Sequence, residues 1–375
     1  MKNKKLLIIV AAVVLVLAVV LAVVLLVGKK DDGETTPTVS TYKLGMGVEI
    51  GLVGLHTSEY GDNAQVDATV ATVVLDADGK IVMCRIDAIQ NKANFADGNF
   101  EVTNLESKME LGTRYGMAGK VDGNGDGIKL EWDEQVKAFE KHVVGMTAAQ
   151  VAAMTTAPNF MNYQMSTDEA LLNAGCTIQI TDLKAAVVKA CNDDQGMTFS
   201  TSQTFTLGLA IESFLDEYSP AATATNHGLI NMYSDMAASV VGADGKILAS
   251  LNDAIQPHIV LTNAGISTTE SHTHKDGYPV FTGCKATKRE LKEEYGMAGK
   301  VDANGDGVKL EWYKQSEAFS KHVVGMTGAQ VAAMPTAPNF MNYQMSTDEA
   351  LLNAGCTIQI TAIKAVVAES VTKAR

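Results

Sequence analysis

The sequence predicts an α+β protein: one N-terminal transmembrane helix, then two tandem copies of a domain built from a small antiparallel sheet and helices. Three observations carry this. Residues 6–27 are an uninterrupted apolar run, residues 115–181 recur at 295–361, and in each copy strand-like segments precede amphipathic helical ones. Strands first and helices later is the order of an α+β fold, not of an alternating α/β one.

The run LLIIVAAVVLVLAVVLAVVLLV has 22 residues and no polar side chain. A helix of ~20 apolar residues crosses a bilayer. A cleaved secretory signal has a shorter apolar core and a small-residue cleavage site. Here the run ends in Val27-Gly28-Lys29-Lys30, with no A-x-A pattern and no nearby Cys for lipidation. An uncleaved anchor is expected. Lys2, Lys4 and Lys5 precede it, whereas Lys29 and Lys30 are followed at once by Asp31 and Asp32. That bias favours a cytoplasmic tail at residues 1–5 and an extracellular remainder, a single-pass protein of the cell membrane held by the lipid bilayer. Residues 28–40, GKKDDGETTPTVS, read as a polar stalk.

About 345 residues follow the anchor, enough for two domains. The net charge of −13 argues against nucleic acid and against anionic lipid as partners of the body. Cys84, Cys176, Cys191, Cys284 and Cys356 are odd in number, sparse and without C-x-x-C. No disulfide framework is indicated.

Tyr115–Thr181 aligns with Tyr295–Thr361 at a constant offset of 180, with 58 of 67 positions identical. Upstream the copies align more weakly. LDADGKIV (75–82) matches VGADGKIL (241–248), Lys43-Leu44-Gly45 matches Thr206-Leu207-Gly208, and the second copy carries an insert around 263–285. The first domain is placed at 41–193, a linker at 194–203 and the second domain at 204–375. Two repeats of this length are tandem domains, not a solenoid.

Within a copy, VDATVATVVL (66–75) and KIVMCRIDAI (80–89) flank Asp76-Ala77-Asp78-Gly79, and an Asp-Gly pair between such runs signals a hairpin. Trp132, Val136, Phe139 and Val143 share one helix face opposite charged residues. Thr147 can cap the helix TAAQVAAM. Ser166-Thr167-Asp168 opens another helix that ends near Gly175, and LKAAVVKA (183–190) is a last one with Leu183, Ala186, Val187 and Ala190 inward.

The stretch Asn173-Ala174-Gly175-Cys176-Thr177 recurs unchanged at 353–357, just before that last helix. AGCTIQITDLKAAVVKA resembles the FMN-binding domains of exported redox proteins, including flavoprotein subunits of Rnf-type and sodium-pumping quinone reductase complexes. Those domains carry an S-G-A-T-like element before an Ala/Val-rich helix. In many of them a flavin transferase esterifies the Thr to the FMN phosphate. Two units on an anchor resemble the covalently flavinylated surface proteins of Gram-positive extracellular electron transfer. The resemblance implies an FMN-binding-like α+β fold and an electron carrier rather than a turnover enzyme. It implies covalent FMN on Thr177 and Thr357, with Gly175, Cys176, Gly355 and Cys356 beside it. The implied partners are a flavin transferase and a membrane electron donor such as a quinone-linked dehydrogenase. This chain departs from the pattern: Leu171 stands where an Asp is common six residues before the Thr, and Cys176 replaces Ala. A phosphate suits a helix N-terminus, and Gly lets backbone approach closely. A tight turn with a capping Thr accounts for the same residues, and a reactive thiol at Cys176 and Cys356 is a further reading.

Asp122, Asn124, Asp126 and, at position 12, Asp133 have the spacing of a calcium loop. Asp302, Asn304 and Asp306 repeat it, but Tyr313 replaces the closing acid. Calcium is expected to favour the first loop; an acidic Asn-Gly and Asp-Gly turn is the plain alternative. A surface binding or scaffolding module with calcium-stiffened loops is the competing function. Trp132 and Trp312 read as core, His272 and His274 as loop residues, and His142 and His322 lack an evident partner.

Overall fold

Alternation along the first copy produces long strands. β1 (Ser40–His56), β2 (Asn63–Leu75), β3 (Ile81–Ala96) and β4 (Asn99–Asn104) follow one another antiparallel. The β2–β3 turn forms as the sequence predicts: Asp76 Oδ1 accepts from the backbone N–H of Asp78 (3.0 Å) and Lys80 (2.9 Å), and Gly79 takes φ +74. The computed structural model describes residues 38–375 except 59–60, 121–128, 160, 268–271, 274–278, 281–283, 285, 300–309 and 340–341. The expected anchor therefore lies outside the described residues. Among these, no helix is long and apolar enough to cross a membrane.

The helical half of the first copy comprises α1 (Lys108–Leu111), α2 (Trp132–His142), α3 (Ala148–Ala152), a small hairpin of β5 (Thr156–Pro158) and β6 (Gln164–Ser166), α4 (Glu169–Asn173) and α5 (Thr181–Cys191). Thr147 caps α3 in a capping box, and Asp168 caps α4. β7 (Met197–Thr201) then pairs antiparallel with β1, giving the sheet order β4-β3-β2-β1-β7. Half of the expected 194–203 linker is thus a strand of the first sheet.

The second copy repeats the plan with β8 (Phe205–Leu215), β9 (Gly228–Ile230), β10 (Met232–Gly242), β11 (Ile247–Ile255), β12 (Ile259–Thr262) and β13 (Gly265–Ser267). One long strand, β3, corresponds here to two, because Pro257 between β11 and β12 has no N–H to donate to a ladder. A two-strand piece, β14 (His272–Thr273) with β15 (Pro279–Val280), lies in the insert. The helical half follows: α6 (Lys288–Leu291), α7 (Trp312–His322), α8 (Gly328–Ala332), β16 (Thr336–Pro338) with β17 (Gln344–Ser346), α9 (Glu349–Asn353) and α10 (Thr361–Thr372). The described chain is mixed α+β with antiparallel sheets.

The two copies share a core. Leu44, Met46, Val48 and Val70 of the first sheet pack in one cluster with Leu207, Leu209, Ile211 and Met236 of the second. The opposite face of each sheet carries its own helices. Ala71, Val73 and Ile86 meet Phe139, Leu183 and Val187, and Ala210, Ala237 and Ala254 meet Phe319, Ile363 and Val367. The layers run helices, sheet, sheet, helices, and Ser40–Arg375 is one compact unit. Polar ties between copies recur with roles exchanged, as across an isologous interface. Arg289 on α6 binds Asp193 beyond α5 at 3.1 Å, and Lys373 beyond α10 pairs with Glu110 on α1 at 3.0 Å.

Three substitutions between the copies are coupled in space. In the second, Asn252 donates to Ser320 Oγ (2.8 Å) and accepts from Ser316 Oγ (2.7 Å) inside the core. In the first, Ile86 and Val136 fill the places of Asn252 and Ser316. Glu140 stands for Ser320 and accepts from the Ile86 N–H at 2.8 Å. A buried polar group persists only with its partners, so the set changes together.

Asp87 of β3 and Asp253 of β11 anchor the short helices that follow. Asp87 Oδ1 accepts from the N–H of Ala88 (2.7 Å) and Met109 (3.0 Å); Asp253 Oδ1 accepts from Ala254 (2.7 Å) and Arg289 (3.1 Å). Burial outweighs these bonds and pushes each carboxyl up to about 6. An acid that holds its proton more tightly when folded stabilises most below its unfolded pKa, and that contribution disappears as pH rises through the folded value. Stability is therefore expected to fall between pH 5 and 7.5. The Asp87→Asn/Asp253→Asn variant keeps the acceptors but should lose less over that interval, by on the order of 1 kcal/mol per site. Urea midpoints at the two pH values check this; equal falls in both proteins would refute it.

Candidate functional site

α4 ends in a left-handed turn at Gly175 (φ +97), and α9 ends likewise at Gly355 (φ +96). The turn is crowded as well as left-handed: a Cβ at Gly175 would stand 2.4 Å from Leu130 Cδ1. Beyond it Cys176 points into the core, fully buried with Leu171 and Val136, and Cys356 does the same. Burial pushes both thiols up to about 12. Neither is a thiolate near neutral pH, which removes the basis of the reactive-thiol reading.

Thr177 is half-buried. Its N–H (2.8 Å) and its Oγ (3.2 Å) both donate to Oε1 of Gln135, and Thr357 does the same with Gln315 at the same distances. Gln135 is fully buried, and its Nε2 donates to the Leu130 carbonyl at 2.9 Å. The amide is thus fixed from both ends and orients the Thr hydroxyl. Sequence reasoning missed Gln135 and Gln315. Their signal was a polar residue three positions after Trp132 or Trp312, on the helix's apolar face, in both copies.

Thr177 stands just before the last helix, as the sequence suggests. α5 starts at Thr181, and the residue before it, Ile180, offers no side-chain cap. Thr177 lies outside the helix, and Thr181 is its first residue. The free N–H groups of α5 are therefore not those next to the Thr177 hydroxyl.

A shallow groove beside the same turn is lined by Glu134, Lys137, Ala138, Lys141, His142 and Ala174, and its twin by the equivalent residues of the second copy. Glu134 and Lys137 become Lys314 and Glu317, so the charges trade places. His142, which had no evident partner in the sequence, faces Asp168: Nε2 to Oδ2 is 3.5 Å, and His322 repeats this with Asp348. Each Asp also caps the helix that follows it through its other oxygen.

The tryptophans are core, as expected, and each is capped by a cation. Lys108 Nζ lies 5.3 Å from the Trp132 ring and 5.0 Å from Tyr115; Lys288 Nζ lies 5.4 Å from Trp312 and 5.3 Å from Tyr295. Of the expected calcium ligands, Asp122, Asn124, Asp126, Asp302, Asn304 and Asp306 lie outside the described residues. Asp133 is described, and its carboxylate accepts from Lys137 Nζ at 2.6 Å. Tyr313, in the corresponding place, donates to Glu293 at 2.7 Å. Comparison of the chain with protein families, curated proteins and solved structures finds no match to any of them.

Proposed function

We propose that the chain is a membrane-anchored extracytoplasmic electron carrier with one FMN esterified to each of Thr177 and Thr357. One observation carries the reading. In both copies a half-buried Thr hydroxyl is oriented by a buried Gln, next to a Gly turn and a sealed Cys. Esterification would replace the Oγ proton and leave the Thr177 N–H bond to Gln135 in place, so the residue stays anchored after modification. The bound FMN supplies electron uptake and release; the protein supplies tether, orientation and electrostatics. A flavin transferase and a quinone-linked membrane dehydrogenase are the partners this reading requires. Residues 6–27 would hold the unit at the outer membrane face.

The test is intact mass after coexpression with a flavin transferase. Two FMN units less two waters are expected, with colour that survives denaturation. Thr177→Val should remove one unit and Thr177→Val/Thr357→Val both. Native protein without a flavin adduct would remove the reading's support. An adduct surviving in the double variant would move it to other residues. A second reading, a surface binding module, draws on a different feature. The β5–β6 hairpin tip presents Met161 and Tyr163 about half exposed, on a turn held by Asn159 Oδ1.

A further inference from the structure

Asn63, Gln65 and Asp67 alternate along β2 and so project from one face of the first sheet. Across the ladder, His56 of β1 stands opposite Asn63, and Gly54 stands opposite Gln65. Gln65 is 1% exposed, and its Nε2 donates to Asp67 Oδ2 at 2.7 Å. Four polar atoms are left open: among the described residues, Gln65 Oε1, Asp67 Oδ1, Asn63 Oδ1 and His56 Nδ1 are buried without a hydrogen-bond partner. Gly54 adds no side chain opposite Gln65, and a Cβ there would meet nothing within 4 Å. Burial pushes the Asp67 carboxyl up, while Gln65, Lys108, Lys92 and His56 hold it down. Neither lysine reaches Asp67 Oδ1.

The second copy shows the closed form of the same place. Asn231 replaces Gln65; its Oδ1 meets His258 Nδ1 at 2.8 Å and its Nδ2 donates to the Tyr218 carbonyl. Tyr233 replaces Asp67. There the polar atoms satisfy one another. In the first copy four buried polar atoms are left without a partner, and one belongs to a carboxylate. Buried groups of that kind need a positive centre or strong donors.

We infer that His56, Gln65 and Asp67, with Asn63 beside them, form a divalent-cation site present in the first copy alone. Carboxylate and amide oxygens joined by an imidazole nitrogen suit Mn²⁺ or Zn²⁺ better than an all-oxygen cation. The site is independent of the flavin reading and of the loop at 122–133.

The full-length chain in detergent, stripped with chelator, is titrated with ZnCl₂ and with MnCl₂. One saturable site per chain is expected for at least one ion, with a rise in melting temperature on binding. Asp67→Asn and His56→Gln should each weaken it by at least about 10-fold, since even outer-sphere changes reach that size. Asp122→Asn should leave it unchanged. Metal-free Asp67→Asn should melt no lower than the parent, which separates loss of a ligand from loss of the fold. No saturable binding of either ion, or binding unaltered in both variants, would overturn the site and leave a hydrated polar cluster.

Discussion

A Gly208→Ala chain is expected to be destabilised by about 3 kcal/mol, the upper part of the range for overpacking a filled core. The reason is backbone against backbone. A Cβ at Gly208 would lie 1.8 Å from the Ser370 carbonyl oxygen and 2.9 Å from the Ala374 nitrogen. Neither atom is the end of a flexible side chain, so α10 would have to lift off β8. That motion would also stretch the fully buried Ser239–Ser370 hydroxyl pair, which stands at 2.6 Å. The first copy has the same contact twice: a Cβ at Gly45 would be 2.1 Å from the Ala190 oxygen, and one at Gly47 2.4 Å from the Ala186 oxygen. In the second copy Ala210 occupies the Gly47 position and is accommodated, fully buried. Gly208→Ala and Gly45→Ala should therefore lower the urea midpoint strongly at unchanged m. Gly51→Ala is the control, because its Cβ would make only ordinary contacts, with Asp67 Cβ at 3.6 Å and the Asp67 carbonyl oxygen at 3.8 Å, and it should stay within about 0.5 kcal/mol of the parent. Equal losses in Gly51→Ala and Gly208→Ala would mean that close packing of the last helix is not what these glycines serve.

Those glycines show what could be read early and what could not. The repeat, the Asp-Gly hairpin, the face Trp132-Val136-Phe139-Val143 and the inward residues of α5 follow from local periodicity, and each appears in the fold. The pairing of the two sheets does not follow from local pattern, although it left a trace. Every residue from Val70 to Leu75 is buried, and so is every residue from Met236 to Val241. A sheet with one wet face alternates; a strand buried on both faces does not. The stretch 194–203 was obscured by its Asp, Gly and Ser residues, yet Met197 and Phe199 alternate with polar neighbours inside it. At the site, Gly175 was legible because a helix end demands a left-handed residue. Gln135 was not, since it lies 42 residues from Thr177 and meets it only through the fold. The unpartnered polar atoms at His56, Gln65 and Asp67 need the strand register to be seen at all.

The same joint between copies supports the other large expectation. Arg289→Ala should destabilise the chain by about 3 kcal/mol, the low end of the cost of breaking a buried ion pair. Arg289 and Asp193 side chains are each 7% exposed. Arg289 Nη2 donates to Asp193 Oδ2 (3.1 Å), to Oδ1 (3.3 Å) and to the Gln195 carbonyl (2.9 Å). Removing the guanidinium would strand a carboxylate in the joint. The stranded charge keeps two donors, the N–H groups of Met46 (3.1 Å) and Gln195 (2.9 Å), which is why the low end is expected. Asp193→Asn in the same chain should recover part of the loss, because the amide oxygen can still accept one of those bonds without a buried charge. A double-mutant cycle should therefore give a coupling of at least about 1.5 kcal/mol. The counterpart pair, Lys373 with Glu110, has side chains 31% and 30% exposed, and Lys373→Ala should cost under about 1 kcal/mol. If Arg289→Ala and Lys373→Ala cost the same, the two copies are held together by their shared apolar core alone, and the polar ties do no more than fix its register.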